Sequence, residues 1–435
     1  MSATTEGGGR TDRSGIDRTL KAVWHMDSAR IIAKLARMLR DVGRAEEIAQ
    51  DAFVAALEQW PQRGVPENPA AWLMTTARNR AIDQLRRAKL SQEKTAIMSH
   101  DPELQPRESP EPCAAADDEI ADDLLRLIFV SCHPLLTLEA RVALTLRLLG
   151  GLMPAEIARA FLVTETAIQQ RIVRAKRTLT EARVPFEVPD AAERTARLAA
   201  VLEVIYLIFN EGYAATSGED WMRPALCEEA LRLGRVLAEL APAESEVHGL
   251  VALMEIQASR TGARVDAAGE PILLLKQDRS RWDRLMIGRG LAALERAESS
   301  GAALGAYALQ AAIAACHARA AVPEETDWNR IVALYDALAA LDPSPIVSLN
   351  RAVAVSMAYG PEAALEIVEE LRNEPRLASY HLLPSVRGDL LEKLGRLGEA
   401  RAEFARAASL TQNVRERELL LGRVAACTDT RDRLS

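Results

Sequence analysis

Apolar residues recur at helical spacing along most of the chain. Ala45, Ile48, Ala49, Ala52, Phe53, Ala56, Leu57 and Trp60 follow i, i+3, i+4, i+7 spacing, which predicts four turns of amphipathic helix. The opposite face carries Glu46, Glu47, Gln50, Asp51 and Glu58, and Pro61 is expected to stop the helix. Pro, Gly and Asn mark 63–69 as a loop. A second helix is expected from about Ala70 to Lys89, apolar at Trp72 and Leu73 and basic at its end, where cations suit the helix dipole. Prolines and scattered acids without apolar period then predict a linker over 91–118.

A second helical block is expected over about 119–183. Pro154–Ala160 reads as a short helix with proline at its first position, followed by a brief turn. Thr164 can cap a longer helix to about Ala182, with Ile168, Ile172, Ala175 and Leu179 as its buried stripe. Thr166, Gln170, Val173, Arg174 and Arg177 face outward, with Gln169, Arg171 and Lys176 on the flanks. Short helix, turn, then longer helix with a polar-basic outer face is the helix-turn-helix pattern. Leu162 stands where such a turn often has glycine, so a left-handed conformation there would be strained.

Beyond Val184–Asp190 the chain is Ala/Leu-rich and helical to its end. Ala352, Val355, Ala364, Val368 and Leu371 return 36 residues later as Gly388, Leu391, Ala400, Phe404 and Ala407. The second copy resembles a tetratricopeptide (TPR) unit, two helices that stack because neither buries its apolar face alone.

Composition agrees with a helical protein: 49% of the 435 residues are hydrophobic and only 4% aromatic. The net charge of −8 is unevenly spread. Residues 1–185 hold 26 basic and 25 acidic residues, and the remainder holds 28 and 37. Ala71–Lys94 and Arg171–Arg183 are locally basic, which suits a polyanion or a solvated helix face. Cysteines 113, 132, 227, 316 and 427 have no zinc or disulfide spacing. No apolar run is long enough to cross a bilayer, so no membrane partner and a cytoplasmic location are expected.

Two runs of residues carry a family resemblance. The first is Asp41, Ala45-Glu46-Glu47, Gln50-Asp51 and Phe53, then Trp72-Leu73, Ala77-Arg78-Asn79, Ala81, Asp83 and Arg86-Arg87. It resembles region 2 of an extracytoplasmic-function (ECF) sigma factor. The second, Glu156-Ile157-Ala158 with Ala167-Ile168, Arg171, Arg174-Ala175 and Leu179, resembles region 4 of that family. The remainder, with Asn210-Glu211-Gly212-Tyr213 and Leu349–Ala354, resembles the helical extension of one ECF group.

The resemblance implies an all-α protein. Its expected parts are a disordered tail (1–16), region 2 (17–90), a linker (91–118), a region 4 helix-turn-helix (119–185) and a helical extension (186–435) with TPR-like repeats at about 345–412. It implies an alternative sigma factor that binds core RNA polymerase, through the β′ clamp helices and the β subunit, and promoter DNA. Asp41, Glu46, Glu47, Gln50 and Asp51 would bind polymerase; their acidity would repel DNA phosphates. Arg78, Asn79, Asp83, Arg86, Arg87 and Lys89 would hold the −10 element, with the 63–68 loop closing over a flipped base. At the −35 element Thr164, Thr166, Gln169 and Gln170 would read bases, and Arg171, Arg174, Lys176 and Arg177 would contact phosphates. Trp72 is expected in the core. The TPR-like end would take a protein partner, and the extension would regulate or brace the sigma module.

No phosphate loop, zinc-protease motif or nucleophile elbow occurs, so no catalytic residue, metal or cofactor is expected. His248, His317 and His381 are isolated, and Asp278 and Asp283 read as an Arg–Asp network capping a helix. Glu211 and Tyr213 beside Gly212 fit either a pocket or a tight turn. The rival reading is a helix-turn-helix regulator with a ligand-sensing C-terminal domain, which leaves the acidic and basic helices of 41–89 unexplained.

Overall fold

The computed structural model describes residues 13–98, 116–266, 269–301 and 303–427. The chain forms two compact units, divided between Val204 and Ile205. The protein is all-α, and the strands named among the described residues are two residues long.

The first unit opens with α1 (Arg13–Leu39), α2 (Val42–Arg63) and α3 (Pro69–Met98). Residues 13–16 are thus helical, with Ile16 and Leu20 buried one turn apart, where a tail was expected; residues 1–12 lie outside the described part. Pro61 does not end α2. It stands inside the last turn, where its missing N–H costs one ladder bond, and the chain turns out at Gly64 (φ 84°), whose N–H reaches the Trp60 carbonyl at 2.9 Å. Trp24 packs on Phe53 at 4.8 Å, and half-buried Trp72 sets its edge on buried Trp60 at 5.6 Å, within the core as expected. α3 runs beyond Lys89 to Met98, because no proline interrupts the chain before Pro102. The expected linker therefore shrinks at both ends, and its middle, 99–115, lies outside the described residues.

α4 (Ala116–Ser131), α5 (Leu138–Leu148), α6 (Pro154–Ala160) and α7 (Glu165–Glu181) complete the second block. Leu127, Phe129, Leu144, Leu146 and Ile157 are buried with the stripe Ile168, Ile172, Ala175 and Leu179. α8 (Ala191–Tyr213) spans the division between the units.

The second unit is a stack of helices: α9 (Pro224–Leu240), α10 (Ser245–Ala258), α11 (Arg284–Ser299), α12 (Ala306–Arg319), α13 (Trp328–Leu341), α14 (Pro345–Tyr359), α15 (Pro361–Leu371), α16 (Leu382–Lys393), α17 (Leu397–Leu410) and α18 (Val414–Ala426). Each packs against its neighbours in the sequence, as in a solenoid. The 36-residue repeat falls on α14–α15 and α16–α17. A Cβ at Gly388 would lie 2.8 Å from the Phe404 ring, so glycine is what admits phenylalanine there. In the first copy the equivalent positions hold Ala352 and the smaller Val368, both buried in one apolar cluster, so room for a side chain at the first position goes with a smaller one at the second.

At Gly212 a Cβ would lie 2.6 Å from the Cys227 nitrogen, which makes the Glu211–Tyr213 segment a close crossing of α8 and α9. Asp278 and Asp283 do cap helices: Asp278 accepts from Ser280 N–H at 2.9 Å and Asp283 from Leu285 N–H at 2.9 Å. Of the expected arginine partners, Arg281 acts on Asp278, whereas Arg279 turns away and donates to the carbonyls of His317 and Ala320. The ends of this unit meet. β1 (Ser217–Gly218) pairs in parallel with β2 (Gln412–Asn413). Fully buried Asn413 donates to the carbonyls of Ala215 (3.1 Å) and Asp220 (2.9 Å), and accepts from Glu416 N–H at 3.2 Å.

Asn413→Ala should leave those two carbonyls without their donor and cost about 1–3 kcal/mol. Chemical unfolding followed by far-ultraviolet circular dichroism checks this; an unchanged midpoint would show that Asn413 does not staple the unit.

Candidate nucleic-acid and partner interface

The faces of α2 and α3 follow from their helical registers. On α2, Glu47 and Asp51 lie one turn apart and are exposed, Gln50 is half-buried, and Asp51 sits 3.7 Å from Arg80 of α3. Asp41 is the N-cap, its carboxylate accepting from Arg44 N–H at 3.0 Å. On α3, Leu73, Ala77 and Ala81 are buried at i, i+4, i+8, which turns Arg78, Asn79, Asp83, Arg86 and Arg87 to solvent on the other side. The Lys89 side chain lies outside the described residues. Asn68 closes the loop before α3, accepting from Ala71 N–H at 3.0 Å.

The helix-turn-helix is built as the sequence pattern requires, and its turn is left-handed at Leu162 (φ 51°). The strain expected there is accepted: the side chain is 53% exposed and meets no core, so the backbone alone carries the cost. Thr164 caps α7, its hydroxyl accepting from Ala167 N–H at 3.2 Å. Thr166, Gln169, Gln170, Arg174 and Arg177 are exposed, and Arg171 is half-buried on the flank. Gln169 bonds Glu165 at 2.9 Å, and Arg177 lies 3.5 Å from Glu181, so Gln170 and Arg174 are the long polar side chains of this face without such a tether among the described residues.

Two expected site residues stand elsewhere. Glu46 is not on an exposed acidic face. It is 2% exposed, because position 46 lies on the flank of α2 that the second block covers. Arg147 of α5 meets its Oε1 through Nε (2.8 Å) and Nη2 (2.7 Å), and Lys176 of α7 holds its Oε2. Lys176 is thereby withdrawn from the outer face of α7. A second buried carboxylate, Asp123 of α4, lies 3.4 Å from Arg37 of α1 and 2.7 Å from Arg126, and burial holds its carboxyl above the usual range. The seam between the two blocks thus includes buried ion pairs, and beside them lies a cleft of about 600 Å³ lined both by polar side chains such as Arg37, Asp41 and Lys176 and by apolar ones such as Val42, Leu179 and Phe186. Periodicity gave no signal for this seam, since both partners of Glu46 lie more than a hundred residues away.

Sequence comparison places these surfaces among known proteins. A family model for Sigma-70 region 2 matches residues 26–90, and one for Sigma-70 region 4 matches residues 126–179. Residues 197–298 match a family of unknown function (DUF6596). An uncharacterized protein of Rhizobium meliloti is 46% identical over 408 residues, 93% of this chain and 94% of its own length. ECF RNA polymerase sigma factor SigK of Mycobacterium ulcerans is 31% identical over 155 residues, 34% of this chain and 78% of the relative. SigL of Mycobacterium tuberculosis, likewise an ECF RNA polymerase sigma factor, is 27% identical over 161 residues, 37% of this chain and 86% of the relative.

Glu46→Ala should release the seam, because buried Arg147 and half-buried Lys176 then lose their counter-charge, at a cost of about 3–5 kcal/mol. Fluorescence energy transfer between probes on α2 and α7 should fall while helix content holds. Unchanged transfer would mean that the seam does not rest on Glu46.

Proposed function

The chain belongs to the ECF RNA polymerase sigma factors and directs transcription initiation as an alternative sigma factor, and from that premise we propose how its surfaces divide the work. The family binds core RNA polymerase and promoter DNA. In our reading, residues 17–90 and 119–185 act as regions 2 and 4. Glu47, Gln50 and Asp51 meet a basic polymerase surface, with Glu46 joining them when the seam opens and Asp41 setting the start of α2. Arg78, Asn79, Asp83, Arg86, Arg87 and Lys89 face the melted −10 element. Gln170 and its neighbours Thr166 and Gln169 read −35 bases, while Arg171, Arg174 and Arg177 position the helix on phosphates. Thr164 and Lys176 serve as cap and seam contact in the packed form. The observation that carries this division is the register of α7: its apolar stripe is wholly buried, and Gln170 and Arg174 point away from it untethered.

The two DNA elements lie roughly 25 base pairs apart by their designations, or roughly 85 Å at about 3.4 Å per pair. Direct contact between Glu46 and Lys176 does not allow both faces to engage one promoter. The packed seam is therefore the resting form, and promoter engagement parts it. Residues 186–435 brace the opened module, and the TPR-like end offers a surface to a protein segment.

Arg174→Ala should lower promoter affinity at every sequence and reduce the salt slope by about one unit. Gln170→Ala should change preference at one or two −35 positions, by about 1–3 kcal/mol. Equal losses on all sequences in both variants would contradict the division between positioning and readout. Truncation after Arg183 tests the brace: run-off transcription with core polymerase should be lost, whereas a gain would mean that the extension masks the module.

A further inference from the structure

The second unit gathers three arginines that burial should forbid. Arg260, Arg264 and Arg279 are 8%, 7% and 4% exposed; none makes a salt bridge with a carboxylate among the described residues, and Arg279 feels carboxylates at longer range, Glu324 and Glu325. Other buried arginines of this chain do: Arg147 has Glu46, and Arg387 has Glu369 and Glu403. The three lie close together around aromatic rings. The Arg264 guanidinium stacks 3.5 Å from the centre of the Tyr213 ring and 5.8 Å from Trp221. Arg260 lies 5.8 Å from Tyr213 and 5.7 Å from Trp282, and Arg279 lies 5.2 Å from Trp282. Such stacking offsets part of the desolvation of a cation but supplies no negative charge.

Hydrogen bonding shows the same shortage. Arg279 is anchored to the His317 and Ala320 carbonyls and Thr326, and Arg264 donates to the Tyr213 carbonyl. The Arg260 side chain has no hydrogen-bond partner among the described residues. The Nε–H groups of Arg260 and Arg279 and the indole N–H of Trp282 are sealed from solvent without an acceptor. One small region therefore holds an excess of positive charge and an excess of donors. The field is felt nearby: burial, with Arg260 and Arg279, pushes the His317 imidazole down to about 4, so this histidine is neutral at neutral pH and adds no further positive charge.

We propose that Arg260 and Arg264, walled by Tyr213 and Trp221, form a binding site for a small phosphate monoester carrying a flat ring. A phosphate supplies what the cluster lacks, acceptor oxygens and negative charge, and the guanidinium fork matches it with paired hydrogen bonds. Tyr213 is itself stacked on Phe209 and covered by Arg264, so it backs the site, and half-buried Trp221 offers the ring on which a planar group stacks. Arg279, tied to three protein acceptors, holds the floor. The site lies within the segment that matches a family of unknown function, and it needs no part of the sigma surfaces.

The test uses the full chain, titrated with AMP, inorganic phosphate and adenosine at constant ionic strength, by calorimetry and tryptophan fluorescence. AMP should bind saturably, phosphate more weakly, and adenosine at least tenfold more weakly than AMP. Arg260→Gln should weaken AMP at least tenfold. Arg260→Lys, which keeps the charge and loses the fork, guards against a folding defect and should weaken it by several-fold with an unchanged melting temperature. Absence of saturable AMP binding at millimolar concentration, equal binding of adenosine, or full affinity in a folded Arg260 variant would overturn the proposal. Each outcome is independent of transcription activity.

Discussion

A carboxylate that is 2% exposed has to have its charge matched inside the protein, and Glu46 sets the arrangement of the first unit for that reason. Its position on α2 is fixed by the same helical register that buries Ala45 and Ala49. Both of its oxygens are then committed, one to Arg147 and the other to Lys176. α5 and α7 must lie against α2 for this to hold. Arg147 also donates to the Leu152 carbonyl at 3.0 Å, so the α5–α6 corner is drawn into the same network. Gly151, at that corner, takes φ 66° and comes so near Ser28 of α1 that a Cβ would lie 2.8 Å from its hydroxyl.

The second unit handles buried cations in other ways. In the TPR-like repeats Arg387 bridges Glu369 and Glu403, a buried arginine between two carboxylates that ties α16 to α15 and α17. Around Trp282 the arginines rest instead on carbonyls and rings. The first solution matches its cation with carboxylates and reads as structural, although Glu403 Oε2 is left without a donor. The second leaves charge and donors over, which separates a site from a staple within one helical stack.

Much of this was legible in the sequence because helices report their buried faces locally. The stripe of α7, the cap at Thr164, the basic outer face of α3 and the 36-residue repeat were all readable from spacing within a few turns. The departures have a common cause. Local rules read Pro61 as a stop, whereas the helix bears the lost ladder bond and runs two residues further, to Arg63, before Gly64 turns the chain out. Glu46 groups with Glu47 and Asp51 as acids on one helix; only a partner from another block decides which of them is covered. Asn413 gave no signal, since its bonds join segments nearly two hundred residues apart. Long-range polar contacts leave no period.

The chemistry of the seam bears on how it could serve a protein that must later part it. An apolar seam of the same size would expose its oil to water on opening and so resist separation. Buried ion pairs differ: their attraction is largely repaid by hydration once both partners return to water, so the net free energy of the contact is small although removing one partner is costly. The cleft at Lys176, lined by Arg37, Arg40, Asp41 and Arg183 among apolar side chains, already brings charged groups to the seam. On the proposed reading the opened form would also lose nothing in solubility, since Glu46 would return to the face of Glu47 and Asp51, and Lys176 to the outer side of α7. The same two side chains would then hold the resting form shut and, once parted, complete the surfaces for polymerase and for DNA.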